Sequence, residues 1–181
     1  NECRESYFNS LNKYYVELMT NTDDLRPILY EDIIQTKLTY SKGWEGSLTE
    51  AMRLSKDKDL ACGYTTCGPH RADFVATTSN GNISDLASMS SQVVLNFCIV
   101  LAQSRAFHVE HQHNPILMID DLFFGIDDKN LGVVIKLLSE SKLQCFLTAP
   151  DSLINRIKGL EVKPKGSYYQ MKNGEIEEIE G

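Results

Sequence analysis

The first twenty residues, NECRESYFNSLNKYYVELMT, place Tyr7, Phe8, Leu11, Tyr15 and Leu18 at helical spacing with charges between them, which predicts an amphipathic helix. After the breaker Pro27, DIIQTKLTY alternates Ile34, Thr36, Leu38 and Tyr40 as a half-buried strand does. SLTEAMRLSKDKDL opens with Ser47 and Glu50 at capping-box spacing and predicts a second helix. DFVAT, Asp73 to Thr77, predicts a strand closed by a Ser79-Asn80-Gly81 turn, and ASMSSQVVLNFCIVLAQSRAF is a long apolar helix headed by serines. PILMID and QCFLTA are short apolar runs that predict strands covered on both faces. Between them DDKNLGVVIKLLSESK reads as a capped amphipathic helix. DSLINRIKG then predicts a short helix stopped by Gly159, and SYYQMKNGEIEEI a hairpin turning at Asn173-Gly174. Strand, helix, strand, helix, strand in this order predicts an α/β fold with mostly parallel central strands, residues 61–181, preceded by a mainly helical segment, residues 1–60.

Composition narrows the class without choosing a function. With 181 residues, 42% hydrophobic and 24% charged, the chain is long enough for one sizeable core. No apolar run approaches the roughly 18 residues of a membrane span, and the N-terminus lacks signal-peptide character, so a cytoplasmic protein without membrane contact is expected. Five cysteines without paired zinc-type spacing predict reduced thiols, mostly filling the core. A net charge of -7 supplies no overall attraction to nucleic acid, so any DNA contact needs a local basic patch or a partner. The start, without methionine and inside a helical pattern, suggests a piece of a longer protein.

Candidate chemistry concentrates in PILMIDDLFFGID. In an open α/β sheet ligands sit beyond the carboxyl ends of the strands, where Asp120 and Asp121 follow ILMI and Thr148 follows CFL. One carboxylate there can hold Mg²⁺ through water and a second can orient or deprotonate an attacking water. Apolar strands ending in aspartate are also common punctuation, and the motif alone leaves both readings open. HVEHQH, with His108, His111 and His113 around Glu110, has no common zinc spacing and is expected in a solvated loop. Cys62 and Cys67 read as two free thiols, Tyr14-Tyr15 and Tyr168-Tyr169 as packing residues, and EIEEIEG as a solvated edge strand and tail.

GYTTCGPHRADF, the serine-headed helix, PILMIDDLFFGIDD and QCFLTA, in this order, closely resemble the C-terminal half of the RecF family of bacterial replication and repair proteins, within the SMC and ABC-type ATPases. GPHRAD, Gly68 to Asp73, is the most specific element; the likeness covers nearly the whole chain and is loosest over residues 1–60. The resemblance implies the C-terminal lobe of an ATPase head after a helical lever arm. It implies ATP and Mg²⁺ as cofactors, held only together with an N-terminal half. It further implies single-stranded or gapped DNA, recombination mediators and a second copy bound through the head as partners, in recombinational repair and the SOS response. By position, Asp120 matches the Walker B metal carboxylate and Asp121 the water-activating residue. Asp127 matches the D-loop aspartate that links the two sites of a dimer. Ser88 matches the leading serine of the signature motif, which binds the γ-phosphate held by the other subunit, and Thr148 the switch residue. His70 and Arg71 match a polar contact near the nucleotide.

The departures from the family pattern are specific. ASMSSQVV puts Ser90 in the glycine position of the signature, Ser91 in the glutamine position, and Val93 where a basic residue is usual. A Cβ at Ser90 hinders close approach of the backbone to a phosphate. FFGID keeps Asp127 but has Phe124 and Gly125 where a serine and an acidic residue are expected. No G-x-x-x-x-G-K-[ST] occurs, so a weak DNA-dependent ATPase is expected only of a more complete protein, and these residues alone should not hydrolyse ATP. The rival expectations are a degenerate RecF-like interaction module, or another SMC-like ATPase such as one of phage defence.

Overall fold

The computed structural model describes residues 2–21, 35–121, 125–160 and 166–179. Helix α1, Glu2–Asn21, leads to β1, Lys37–Ser41, and α2, Leu48–Cys62. A 3₁₀ turn, Pro69–Arg71, precedes β2, Asp73–Thr78, the two-residue β3, Gly81–Asn82, and the single turn α3, Ile83–Leu86. Then come α4, Met89–His111, β4, Leu117–Ile119, α5, Asp128–Ser141, and β5, Cys145–Leu147. Helix α6, Asp151–Lys158, and the strands β6, Tyr168–Lys172, and β7, Glu175–Ile179, follow. Pro27, Ile34 and Phe124, which enter the sequence expectations, lie outside the described residues.

The local signals explain most boundaries. Ser47 starts α2 by accepting the Glu50 N–H, and Gly63 ends it at φ 75°. Glu50 pairs with Arg53. Ser88 caps α4 through the Ser91 N–H, and Asp127 caps α5 through the Asn130 N–H. Gly159 closes α6 in a right-handed conformation instead of the left-handed one usual for glycine stops. Asn173 and Gly174, both at positive φ, make the tight hairpin turn.

Helix α4 is the centre of the molecule. Val94, Leu95, Phe97, Cys98, Ile99, Leu101 and Ala102 are buried on it, against Leu11, Tyr15 and Met19 of α1 and the apolar face of α5. Among the described residues α4 alone has the length and composition to cross a membrane, which departs from the sequence expectation; half of the relevant stretch is buried inside the protein, as in a central core helix. The thiol expectation holds for Cys98, which is buried, whereas Cys3 and Cys62 are exposed; all five cysteines are free. Burial pushes the Cys98 thiol up to about 12.

Strands β4 and β5 pair in parallel, Leu117 with Cys145 through Ile119 with Leu147, and α5 is the crossover between them. Strands β1–β2–β3 and β6–β7 are antiparallel. Covering of β4 and β5 on both faces does not occur among the described residues. Leu117 points into the core, while Ile116 is 57% exposed, Met118 84% and Phe146 57%. The two-residue period sends alternate side chains to opposite faces, and Leu117 is the β4 side chain that joins the core. Residue 60 lies inside α2, and on either side of it β1 pairs with β2 and α1 packs along α4.

Candidate functional site

The first group of predicted residues meets at the carboxyl ends of β4 and β5. The Thr148 N–H donates to the Ile119 carbonyl at 3.0 Å, extending the parallel ladder by one bond. That bond carries the Thr148 side chain to the aspartate pair. Its hydroxyl donates to Asp120 Oδ1 and accepts the Asp121 N–H at 3.4 Å. Asp121 has φ 48°, a left-handed conformation that aspartate tolerates better than most side chains. Both carboxylates lie at the open strand end, but they are not equivalent. One Asp120 oxygen is engaged by Thr148, whereas Asp121 is turned by the backbone at the strand end. Oxygen-only donors at such an edge suit a hard, partly hydrated cation like Mg²⁺. Among the described residues no three His, Cys, Asp or Glu side chains group as a metal site, so these residues would supply only a small part of a coordination sphere.

The second group lies where α4 meets the turn into α5. Ser90 is 7% exposed, and its hydroxyl faces inward, accepting the Asp127 N–H at 3.2 Å and the Asn130 amide at 2.9 Å. Asn130, fully buried, also donates its amide to Asp127 Oδ2 at 2.7 Å and its backbone N–H to Asp127 Oδ1 at 2.8 Å. Desolvation pushes the Asp127 carboxyl up. The bonds from the Asn130 N–H, the Ser90 hydroxyl and the Asn130 amide together outweigh it and hold the pKa below the ordinary value. From the other side Arg156 donates to the Ile126 carbonyl and to Asp128, each at 2.7 Å. Ser88 caps the helix start, its hydroxyl 2.9 Å from that of Ser91.

His70 and Arg71 stand apart from both groups in their contacts. His70 Nε2 donates to the Thr65 carbonyl at 2.9 Å, and the Arg71 guanidinium lies 5.2 Å from the Tyr64 ring centre. Their turn is clamped from two directions, by the Arg4 guanidinium on the Pro69 carbonyl at 2.8 Å and by the Gly68 N–H on the Gly43 carbonyl at 3.1 Å. His108, Glu110 and His111 belong to the last turns of α4, not to a loop, and His111 packs on Phe107 at 4.4 Å between ring centres. A cavity of about 340 Å³ between α1, α4 and α5, lined by Tyr14, Leu18, Arg105 and His108 among others, contains none of the predicted site residues.

Two further residues of the site, Asn130 and Arg156, are not among those the sequence patterns single out. The Asp127-x-x-Asn130 spacing is that of a helix cap and its third residue, a signal that could have found Asn130. Arg156 reaches back 30 residues to Ile126 and has no local signal.

A parallel strand pair ending in aspartates and a threonine, with a serine-headed central helix meeting an aspartate-capped helix, belongs to a fold this chain shares with solved Smc and RecF structures. The chain superposes on the Smc head bound to the C-winged helix domain of ScpA with a TM-score of 0.51 at 12% identity, over 95% of this chain and 42% of that one. It superposes better on the recombination mediator protein RecF-ATP of the RecFOR pathway, with a TM-score of 0.61 at 18% identity, over 99% of this chain and 46% of that one. In sequence it is related to RecF, the DNA replication and repair protein. It is 27% identical to that of Nitrosococcus oceani over 84% of this chain and 42% of the relative. It is 25% identical to that of Shewanella denitrificans over 99% and 48%, and 30% identical to that of Coxiella burnetii over 76% and 38%. The chain thus spans about half the length of the curated relatives it matches, in agreement with the C-terminal half of a RecF protein. No family model matches it.

Proposed function

We propose that the chain is the C-terminal lobe of the ATPase head of a RecF-type DNA replication and repair protein, with residues 1–60 as the start of its lever arm and 61–181 as the head lobe. The observation that carries this reading is the Asp120–Thr148–Asp121 arrangement at the carboxyl ends of β4 and β5. Asp120 is the metal carboxylate, held in one orientation by Thr148. Asp121 orients the attacking water. Bound Mg²⁺ and ATP supply the phosphoryl group and shield its charge. Thr148 contacts both aspartates' turn and therefore responds to what Asp120 binds. Asp127 and Ser88 lie at the surface the second copy meets, with Ser90 supporting them from inside, and His70 and Arg71 form a polar turn near the nucleotide. The complete protein dimerises through its heads in the cytoplasm, grips single-stranded or gapped DNA, and works with recombination mediators in repair and the SOS response. Nucleotide state gates the grip on DNA.

The test is DNA-stimulated ATP hydrolysis by the full-length protein carrying Asp121→Asn. Turnover is expected to fall on the order of 100-fold, the usual contribution of a positioned general base; unchanged turnover overturns the assignment. One observation favours a second reading, a non-catalytic interaction module: the Ser90 hydroxyl is spent on internal partners, as is much of the capping capacity of Ser88. A full-length protein that neither binds nor hydrolyses ATP would support that reading instead.

A further inference from the structure

Ser90 stands where the family resemblance implies a glycine, and its hydroxyl is engaged inside the protein. Ser90 Oγ accepts two hydrogen bonds, from the Asp127 N–H and the Asn130 amide, across 37 and 40 residues of chain. The second hydrogen of the same amide goes to Asp127 Oδ2, and the Asn130 backbone to Asp127 Oδ1. The amide can stand only this way round, because its oxygen, turned over, would face the Asp127 carboxylate. A glycine at position 90 would take the acceptor from both donors, one of them on a side chain with no access to water. An apolar residue at 130 would leave the buried Ser90 hydroxyl and the carboxylate without their shared donor. The two residues make sense as a pair.

The geometry points to Asn130 as the positioning residue of this site: with Ser90 in the glycine position, its buried amide fixes the start of α4 and the Asp127 turn as one rigid corner. That corner sets where Asp127 and Ser88 stand for the contact with a second copy. The inference rests on the head-dimer reading above. It gives the serine a purpose, since the same substitution that keeps the backbone from approaching a phosphate supplies the acceptor that locks the turn.

The experiment is a double-mutant cycle in the full-length protein with Ser90→Ala, Asn130→Ala and both. Sedimentation with ATP and Mg²⁺ reads the dimer dissociation constant, and thermal unfolding without nucleotide reads the lock itself. Ser90→Ala keeps the Cβ and removes only the hydroxyl, and Asn130→Ser replaces Asn130→Ala if that variant does not fold. Each single change is expected to weaken the dimer roughly tenfold, and the double change little further, because both remove one shared network. Weakening in the double variant by the product of the single effects, about 100-fold, overturns the coupling. Coupled unfolding with an unchanged dimer constant overturns the positioning role and leaves the proposed function standing. A wild-type protein that forms no ATP-dependent dimer overturns the proposed function and the positioning role together, and coupling then survives in the unfolding data alone.

Discussion

Replacing Gly43 by alanine tests how the turn carrying His70 and Arg71 is held. Gly43 sits at φ +88°, and a Cβ added there would lie 2.5 Å from the Gly68 carbonyl oxygen, 2.7 Å from the Arg71 carbonyl carbon and 2.8 Å from the Ala72 nitrogen. All three are backbone atoms that no rotamer change can move aside. The left-handed backbone costs an L-residue roughly 1–2 kcal/mol. Forcing a methyl into an occupied site costs typically about 1–3 kcal/mol more. Against this, alanine restricts the unfolded chain and recovers roughly 0.4–1 kcal/mol. The net expectation is a loss of about 2–4 kcal/mol, or a fall of about 4–16 °C in Tm at this chain length. Gly46→Ala is the matched control: φ is +60°, nothing lies within 4 Å of the added Cβ, and only the backbone term remains. Its loss is expected near 1 kcal/mol, on the order of the left-handed backbone cost alone. Trp44, the single tryptophan of these 181 residues, adjoins Gly43, and its fluorescence during urea unfolding reads the region directly. Equal destabilisation by the two substitutions would refute the claim that the Gly43 loop and the Gly68–Ala72 turn are in backbone contact.

Four further outcomes follow from the described contacts. Asp127 has its folded pKa held below the ordinary 3.8, so its contribution to stability is present above that value and is lost as pH falls through the depressed one; Asp127→Asn should flatten acid unfolding in this window. Asp59 behaves in the same sense, through the Thr66 hydroxyl and N–H first and Ser55 after them, and Thr66→Val should bring its titration back toward the ordinary range in a proton-detected pH series. Iodoacetamide should label exposed Cys3 and Cys62 within the native state and Cys98 only after unfolding, as mass mapping would report; early Cys98 labelling would contradict its place in the core. Ile135→Ala, at a fully buried position on α5, should cost about 2–5 kcal/mol in denaturant unfolding.

The elements with their own local signal are legible in the amino-acid sequence. The serine caps of α2 and α4, the Asp127 cap of α5 and the Asn173-Gly174 turn each depend on contacts within a few residues, and spacing alone reports those. The apolar stripe of α1 and the run of α4 mark which residues seek a core, and Tyr15, Val94 and Leu95 are buried accordingly. The aspartate pair and its threonine are visible too, because strand ends in an α/β order face a common edge.

Contacts across long stretches of chain are not legible in this way. An apolar run such as ILMI states only that its residues avoid water; which of them reach the core is decided by tertiary packing, and Met118 is left outside. The family resemblance implies a phosphate contact at Ser90, yet its hydroxyl is bonded to Asp127 and Asn130, 37 and 40 residues away. The HVEHQH pattern suggests a loop, whereas α4 runs through His111 and closes on left-handed Gln112, whose N–H donates to the His108 carbonyl. Spacing and capping govern what the backbone does nearby. Burial and hydrogen-bond closure between distant segments govern where a side chain finally points, and at this site they hold the Ser90 hydroxyl on the Asp127 N–H and the Asn130 amide.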